Sequence, residues 1–523
     1  MSSARYASLS PNVALEKGAY RMRAPRRPTL ETPRPVISRK PRRIWRRKHT
    51  AMLLALLLAA ALASFAAAYY LFVTRWAESQ IVSVTRADAD PAATACADPA
   101  ETFLAYLPHS GFHNQRIALE NALVLAVLLN RTLLLPPARL GSKPLRYVAF
   151  DRLRVYLALS GDEGLAHCGK VPAHTYTPDE CAEWGEYSHI AWDALVDLKG
   201  LRKTQGARTC PAGNFSTAWP HDSLNISESE TLTLRDDGPY DFRFVDAPAP
   251  ASQRYAQDIH ILTLRAEEAR LIQIGTLFGS ARLRLTQPQN LALRTAVRRS
   301  MAFTHPGLTA ATREIARTLG GEGRFLGAHV RVGDAHFAAD AQANARGVWW
   351  RLVHQTLGFP MEKALELERS TMGNNTQELD PPALPVDRAA LRTPHPPLPS
   401  LPKIFTPHLP CRAPLHTARQ LLPLNAPLFI ATDARSPATH PALEPFRATF
   451  PCAFFLGDFP GAIAQLHEQE DEGKGAMHLL PLLDALTAAQ AHAVVGTRGS
   501  TFSTFVEDVL WRVGKGWDIV ERG

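Results

Sequence analysis

Apolar residues downstream of position 100 occur in alternating short and long runs, which predicts alternating strands and helices. Phe103–Leu107 has the length of a strand and is followed by a loop that contains Gly111. The segment from Arg116 to about Asn130 is apolar on nearly every side, as in a helix buried against a sheet. Arg131–Leu135 is the next short apolar run, and two prolines end it. This order of elements is that of the βαβ unit that opens a Rossmann-like half.

The same rhythm returns in the last third of the chain. It consists of predicted strands over Phe325–Val330 and Pro427–Ala431, a helix from Met477 to Ala489 and a strand over Ala491–Val495. A loop over 496–503, rich in Gly, Ser and Thr, then precedes a helix in which Thr504 and Glu507 match a capping box. The sequence therefore predicts an α/β fold with two Rossmann-like halves, residues 99–320 and 321–523.

Three segments between these elements have weaker patterns. Residues 140–255 contain cysteines and many turn signals, and we interpret them as an elaboration of the first half. Residues 259–278 and 290–319 are helix-like. Residues 377–427 are rich in proline, which predicts a surface insertion in the second half.

An uncharged segment of 23 residues, Ala51–Val73, precedes the globular part. As a helix it would be about 35 Å long, enough for a hydrocarbon core of about 30 Å. Basic residues flank it on the N-terminal side only, which predicts a cytosolic tail over 1–50. We expect a single-pass type II signal anchor, a stem over 74–98 and a lumenal domain in the Golgi apparatus or endoplasmic reticulum. The alternative is a buried helix of a soluble protein.

Charge is distributed unevenly along the chain. Residues 1–50 contain 14 Lys and Arg against two Glu, a balance of +12, whereas the whole chain has +9. Subtraction leaves −3 for everything after residue 50. The basic character belongs to the tail, so nucleic-acid binding is excluded for the folded part.

The cysteines and the glycosylation sequons all lie beyond the predicted anchor, as expected in an oxidising compartment. The even number of cysteines fits up to three disulfides, with the pairing left open, and no spacing is typical of a zinc site. An Asp-x-Asp match at Asp88 and Asp90 lies in the stem and is interpreted as chance. The cysteines are Cys96, Cys168, Cys181, Cys210, Cys411 and Cys452, and the sequons are at Asn130, Asn214, Asn225 and Asn374.

Candidate chemistry is concentrated at two strand ends. His329 and Arg331 lie on one face by strand alternation, and the carboxyl end of such a strand faces the ligand crevice of an open α/β sheet. The planar guanidinium of Arg331 suits phosphate, and the alternative is an ion pair with Asp334. Ser500 and Thr501 present hydroxyls and amides at a helix N-terminus, where they suit phosphate oxygens or act only as caps. No GxGxxG motif is present, which argues against a nicotinamide site.

Four motifs in order resemble the GDP-fucose protein O-fucosyltransferase family, whose wider group includes the α1,6-fucosyltransferases. They are the loop Gly111–Arg116, the strand end His329-x-Arg331-x-Gly-Asp334, an aspartate at Asp484 and the run Gly496–Ser503. The resemblance implies a GT-B fold and metal-independent, inverting transfer of fucose from GDP-fucose to a protein or glycan acceptor. It implies no metal and no cofactor other than this co-substrate.

The resemblance also implies roles for individual residues. Asn114 matches an asparagine close to the sugar and the β-phosphate, and Arg331 matches the arginine on the pyrophosphate, so these two are the expected catalytic residues. Asp484 matches an acidic residue at the guanine. The expected donor-binding residues are Gly111, His329, Asp334, Asp484, Ser500, Thr501 and Phe502.

Two features depart from the family pattern. Ser110 replaces the first glycine of the usual Gly-Gly pair. Some members carry a glutamate base in this loop, whereas this chain has no carboxylate between Pro108 and Arg116, only His109 and His113. The alternatives to a fucosyltransferase are a transferase on the same fold with another sugar nucleotide and a non-catalytic relative that binds nucleotide or glycan.

Overall fold

The computed structural model describes residues 55–64, 100–161, 178–213, 215–248, 250–333, 335–372, 380–384, 386–401, 408–469 and 475–520, with single positions 52, 66, 96, 98, 165 and 168. The chain divides into two units, 1–84 and 85–523. Within the described part, no helix combines the length and the apolar character needed to cross a membrane. Only residues 52, 55–64 and 66 of the predicted anchor are described, as helix. The basic tail, Asp88, Asp90, Asn214, Asn374 and Asp334 lie outside the described residues.

The predicted first half contains a five-stranded, wholly parallel sheet with β1 at its centre. The order is β5-β2-β1-β9-β6, and a second parallel sheet has the order β10-β7-β8, while β3 and β4 pair antiparallel. The strands are β1 Phe103–Ala105, β2 Thr132–Leu135, β3 Ala138–Gly141, β4 Tyr187–Ile190, β5 Thr209–Pro211, β6 Thr231–Leu234, β7 Phe242–Val245, β8 Gln257–His260, β9 Leu271–Ile274 and β10 Leu283–Arg284.

Helices surround these sheets, and the longest, α1, is buried along most of its length. Its left-handed C-cap residue, Asn130, donates its N–H back to the carbonyls of Ala126 and Val127, which ends the helix. The helices are α1 Phe112–Leu129, α2 Phe150–Leu159, α3 Trp192–Leu195, α4 Leu198–Gln205, α5 Trp219–Leu224, α6 Ile261–Arg265, α7 Pro288–Ser300 and α8 Pro306–Thr318.

The predicted second half contains a four-stranded parallel sheet in the order β13-β12-β11-β14. Its strands are β11 Leu326–Val330, β12 Leu428–Thr432, β13 Ala453–Phe454 and β14 Val494–Gly496. Its helices are α9 Ala335–Ala339, α10 Ala341–Trp350, α11 Met361–Met372, α12 Arg388–Arg392, α13 Glu444–Thr449, α14 Pro460–Gln469, α15 Gly475–Ala489, α16 Thr501–Thr504 and α17 Trp511–Gly514. The mixed α/β architecture with parallel sheets agrees with the predicted fold class.

The two faces of β11 contact different layers. Ala328, Val330 and Val332 pack with Trp349 and Trp350 in one hydrophobic core. The opposite face meets α15 so closely that a Cβ on Gly327 would lie 2.6 Å from the carbonyl oxygen of Ala488. The alternation predicted for this strand is confirmed.

Several predicted elements are wrong or shifted. Residues 259–278 are not one helix, because 271–274 form β9, which pairs in register with both β1 and β6. Residues 290–319 are two helices, since Pro306 starts α8 with His305 as its N-cap. The helix expected from Arg116 begins earlier, at Phe112. Thr504 and Glu507 form no capping box: a π-helical turn runs from Phe505 to Leu510, and Glu507 instead accepts hydrogen bonds from Gly496 and Arg351.

All six cysteines form disulfides, which confirms the maximum of three bridges. Cys96–Cys210 joins the chain before β1 to β5, Cys168–Cys181 closes a short loop, and Cys411–Cys452 joins the proline-rich segment to the start of β13. Both described sequon asparagines, Asn130 and Asn225, are exposed helix C-cap residues.

Candidate active site

The loop before α1 adopts a conformation that favours glycine. Ser110 has φ 67°, in the left-handed region that favours glycine. It occupies the position of the first glycine of the Gly-Gly pair in the family pattern. Its N–H donates to the carbonyl of Leu145 at 2.6 Å, and its hydroxyl lies 2.7 Å from Nδ1 of His109. These contacts hold Ser110 in place and set the start of α1 at Gly111.

The sequence predicts Asn114 in the loop before α1. In the structure it lies in the first turn of that helix. Its Oδ1 is buried and has no hydrogen-bond partner among the described residues. A buried amide oxygen without a partner is costly unless a ligand or water supplies a donor. Asn114 therefore presents an unused acceptor to the cavity that it lines.

A buried charge cluster lies behind this turn. Glu120 accepts from Nε of Arg298 at 2.6 Å and lies 3.5 Å from Nη2 of Arg116. His113 stacks on Phe505 at 4.8 Å between ring centroids. Burial, with the nearby charge of Arg116, holds the pKa of His113 well below its usual value. His113 is therefore neutral at neutral pH. The buried cluster supports the first turn of α1.

Arg331 directly follows β11 and is held by the two neighbouring strand ends. Its N–H donates to Oγ1 of Thr497 at 2.9 Å, and its Nε lies 3.1 Å from Oδ2 of Asp433. Asp433 follows β12, and its Oδ1 accepts the N–H groups of Val332 and Gly333 at 2.7 and 3.0 Å. Asp334, the alternative ion-pair partner, lies outside the described residues, so that alternative stays open beside the ion pair with Asp433.

Gly333 is required by this arrangement. A Cβ at this position would lie 2.6 Å from the carbonyl oxygen of Asp433 and 2.9 Å from its carboxylate. The turn after β11 can approach Asp433 only because no side chain intervenes.

His329 is buried under the helix that follows β14. Its Nδ1 lies 2.6 Å from Oγ of Ser503, and its ring contacts Phe502 at 5.2 Å between centroids. Burial, together with the charge of Arg331, lowers the pKa of His329 to about 3. The imidazole is therefore neutral at neutral pH. Ser500 caps α16, because its hydroxyl accepts the N–H of Ser503 at 3.2 Å, so its capping role is confirmed.

Asp484 projects from α15 towards the end of β12. Its Oδ2 accepts the N–H of Thr432 at 2.8 Å, whereas its buried Oδ1 has no partner among the described residues. Burial raises the pKa of Asp484 to about 8, the charge of Asp433 adds to the increase, and the Thr432 bond opposes it. A buried carboxyl group of this kind is poised to gain a donor.

These residues surround two adjoining cavities. One, of about 360 Å³, is lined by His329 and Asp484 and otherwise mainly by apolar side chains. The other, of about 770 Å³, is lined by residues of both halves. Arg331, Asp433 and Phe502 line both. Eight of the nine predicted site residues line one or both cavities, namely Gly111, Asn114, His329, Arg331, Asp484, Ser500, Thr501 and Phe502.

Sequence reasoning missed Asp433, Thr497 and Ser503. Asp433 follows a predicted strand directly, which was a usable signal, since carboxyl ends of neighbouring parallel strands meet at one edge. Thr497 and Ser503 lie in the run Gly496–Ser503, but the sequence predicted no role for either. Among the described residues, no group of three or more His, Cys, Asp or Glu side chains could hold a metal ion. Metal independence stays a prediction.

A curated protein from Arabidopsis thaliana, O-fucosyltransferase 30, is 57% identical to this chain over 37 residues. That match confirms the resemblance to O-fucosyltransferases. It spans 7% of this chain and 7% of the relative's length. No family model matches the sequence.

Crystal structures of POFUT1 in complex with GDP and with GDP-fucose align over 78% of this chain and 94% and 93% of their own chains. The sequence identities are 13% and 12%, and the TM-scores are 0.34 and 0.33.

Proposed function

We propose that this protein is a fucosyltransferase that transfers fucose from GDP-fucose to a hydroxyl group of a protein or glycan acceptor. One observation carries the proposal. The adjoining cavities bring together Asn114 from the first half and Arg331, Asp484 and Ser500 from the second, and we propose that the donor nucleotide binds there, between two GT-B halves. The 37-residue similarity to an O-fucosyltransferase supports the same chemistry.

The smaller cavity suits the guanine base. Its walls include Ile430, Leu456, Phe502 and Asp484, whose buried Oδ1 has no hydrogen-bond partner among the described residues. Guanine carries donors at N1 and N2, and an ionised carboxylate accepts from both. A base placed there would thus contact apolar side chains and one charged group.

The diphosphate would then lie between Arg331 and the start of α16. Arg331 supplies a permanent charge that its ion pair with Asp433 holds in position, while Ser500 and Thr501 lie at a helix N-terminus. Charge accumulates on GDP as the bond to fucose breaks, and preorganised donors stabilise that charge without reorganisation. Asn114, whose Oδ1 has no hydrogen-bond partner among the described residues, lines the larger cavity and would lie at the sugar end of the site.

We propose inversion at the anomeric carbon, because the acceptor oxygen would attack opposite the departing diphosphate. We also propose that the protein is a type II membrane protein anchored by residues 51–73, with its catalytic domain in the lumen of the Golgi apparatus or endoplasmic reticulum. The uncharged segment and its one-sided basic flank support this topology.

The decisive experiment measures release of nucleoside diphosphate from a panel of sugar nucleotides by the purified full-length protein in detergent. GDP-fucose should be consumed faster than GDP-mannose and uridine diphosphate sugars, and an acceptor library should increase the rate. Preference for another sugar nucleotide would replace the donor assignment. GDP binding without turnover of any donor would instead identify a non-catalytic relative.

A further inference from the structure

Four arginines line a separate cavity of about 490 Å³ that shares no residue with the two cavities of the candidate active site. They are Arg243, Arg284, Arg294 and Arg392, and none of the described residues that line this cavity is acidic. Three come from β7, β10 and α7 of the first half, whereas Arg392 ends α12 of the proline-rich segment. The cavity is therefore assembled from parts of the chain that are far apart in sequence.

Two of these arginines form a buried floor. Arg243 binds Asp258 through both carboxylate oxygens, at 2.6 and 2.9 Å, and also donates to the carbonyl of Pro250. Arg294 is buried and donates to the carbonyl of Leu283. Both guanidinium groups are thus fixed in orientation, which reduces the entropy cost of binding a ligand.

The other two arginines are exposed at the rim. The side chains of Arg284 and Arg392 form no hydrogen bond or ion pair within the described part of the chain. The charge of Arg284 helps to lower the pKa of Asp258, but its guanidinium donors form no bond with that carboxylate.

The local charge is not explained by overall composition. The chain after residue 50 has a balance of −3, yet four guanidinium groups meet here. Asp258 binds Arg243, and Asp246 accepts the N–H of Thr286. Four guanidinium groups therefore line this cavity, and one of them is paired with Asp258.

We propose that this cavity binds the sulfate or phosphate ester group of an anionic saccharide. The arginine fork matches the paired oxygens of such esters, and arginine is preferred over lysine where bidentate recognition matters. Leu283, Leu285 and Leu291 supply apolar surface for a sugar ring, and Ser280, Thr286 and Thr393 supply hydroxyl groups. The volume exceeds what one oxyanion needs, which favours a saccharide that carries the anion over a free ion.

The cavity is within reach of the candidate active site. Ser280 follows Thr276 by four residues, a span of at most about 14 Å. The hydroxyl of Thr276 lies 2.6 Å from Nε2 of His109, which directly precedes the Ser110–Gly111 turn. An anionic group on an acceptor glycan could thus bind here while another part of the glycan enters the cleft. This role in acceptor recognition rests on the proposed function, whereas binding of the anion does not.

The test measures binding of a sulfated heparin-type disaccharide to the full-length protein in detergent by calorimetry. The comparison ligands are the desulfated disaccharide, glucose 6-phosphate, inorganic sulfate and a phosphoserine peptide. The variant is Arg284→Gln with Arg392→Gln. The matched control is Arg202→Gln with Arg265→Gln, which removes the same charge from two exposed arginines at helix C-terminal ends.

The disaccharide should bind the wild type, bind the cavity variant at least tenfold more weakly and bind the control as tightly as the wild type. Glucose 6-phosphate binding with the same dependence would identify phosphate as the preferred ester. The proposal is overturned if no sulfated or phosphorylated sugar binds, if the control loses as much affinity, or if inorganic sulfate or the peptide binds as tightly. GDP affinity, measured in the same samples, should be unchanged, so failure here is distinguishable from failure of the proposed transfer.

Discussion

Binding of GDP should strengthen as the pH rises, because Asp484 must lose a proton before its carboxylate can accept two guanine donors. Burial raises the pKa of this group to about 8, so the free protein holds it mostly protonated at neutral pH. Asp484 lines the cavity proposed for the base, and its buried Oδ1 has no hydrogen-bond partner among the described residues. Nucleotide binding and proton release should therefore be coupled.

The size of the effect follows from the fraction of protein in the binding-competent, ionised state. With a pKa of about 8, that fraction is about 0.03 at pH 6.5 and about 0.76 at pH 8.5. The apparent Kd is the intrinsic Kd divided by this fraction. The affinity for GDP should thus rise about 25-fold between these two pH values. Asp484→Asn should bind GDP weakly throughout, since its amide presents a donor where guanine also donates.

Stability should change in the opposite direction. The native pKa lies above the ordinary value of 3.8, so the folded state binds more protons than the unfolded state between these values. This contribution to stability is complete below pH 4 and is lost as the pH rises through 8. The Asp484→Asn variant lacks the group and should lose less thermal stability between pH 6.5 and 8.5.

Calorimetric titration at constant ionic strength would measure the affinities for GDP and for ADP at each pH. ADP is the comparison because it shares the diphosphate but lacks the guanine donors. The ratio of their affinities isolates the contribution of the base. Thermal melts of the same samples would report the stability change. A ratio that is independent of pH in the wild type, or an unchanged ratio in Asp484→Asn, would remove Asp484 from the guanine site.

Four further predictions concern the diphosphate, the turn beside it, metal and topology. Arg331→Ala should fold normally and lower kcat for GDP-fucose on the order of 10²–10³-fold with little change in KM, and Arg331→Lys should restore only part of the rate; near-normal turnover of the alanine variant would reduce Arg331 to a structural ion pair. Gly333→Ala should lower kcat by displacing Asp433 from Arg331, whereas Gly461→Ala, with no atom near its added Cβ, should be neutral; equal rates of the two variants would contradict the positioning of Arg331 by Asp433. Removal of divalent metal with EDTA should leave the initial rate unchanged, and loss of activity that added metal restores would disprove metal independence. Protease added to sealed microsomes should remove only the basic tail, and a glycosidase should then reduce the mass of the protected fragment; a protected tail would reverse the orientation.

The sequence predicted the parts of the site that local periodicity encodes. Alternation placed His329 and Arg331 on one face of β11, and the opposite face packs in the core as expected. Alternation could not predict the hydrogen-bond partners of these residues. Val332 is bonded to Asp433, 101 positions away, and His329 to Ser503, 174 positions away. Such contacts depend on which strands become neighbours.

Tertiary context also overrode local patterns elsewhere. Residues 271–274 belong to a helix-like stretch, yet they form β9 because both sides of that strand are occupied by parallel partners. Glu507 fits a capping box by spacing, but its carboxylate instead binds Arg351 at 2.8 Å and the N–H of Gly496. In both cases a contact with a partner distant in sequence stabilises the structure more than the local arrangement would.

The long sequence separation between Arg331 and its supporting residues has a consequence for biosynthesis. The first sheet and the Cys96–Cys210 bridge use only residues that emerge early from the ribosome. The cavity proposed for the guanine base needs Asp433, Asp484 and Phe502, which all follow the first sheet in the chain. Nascent chains that stop before these residues would therefore have a folded first sheet and no complete cavity. Under the proposed function, guanine-nucleotide binding would report a stage of maturation later than the closure of the first sheet, and nucleotide present during folding would stabilise only chains that have reached it.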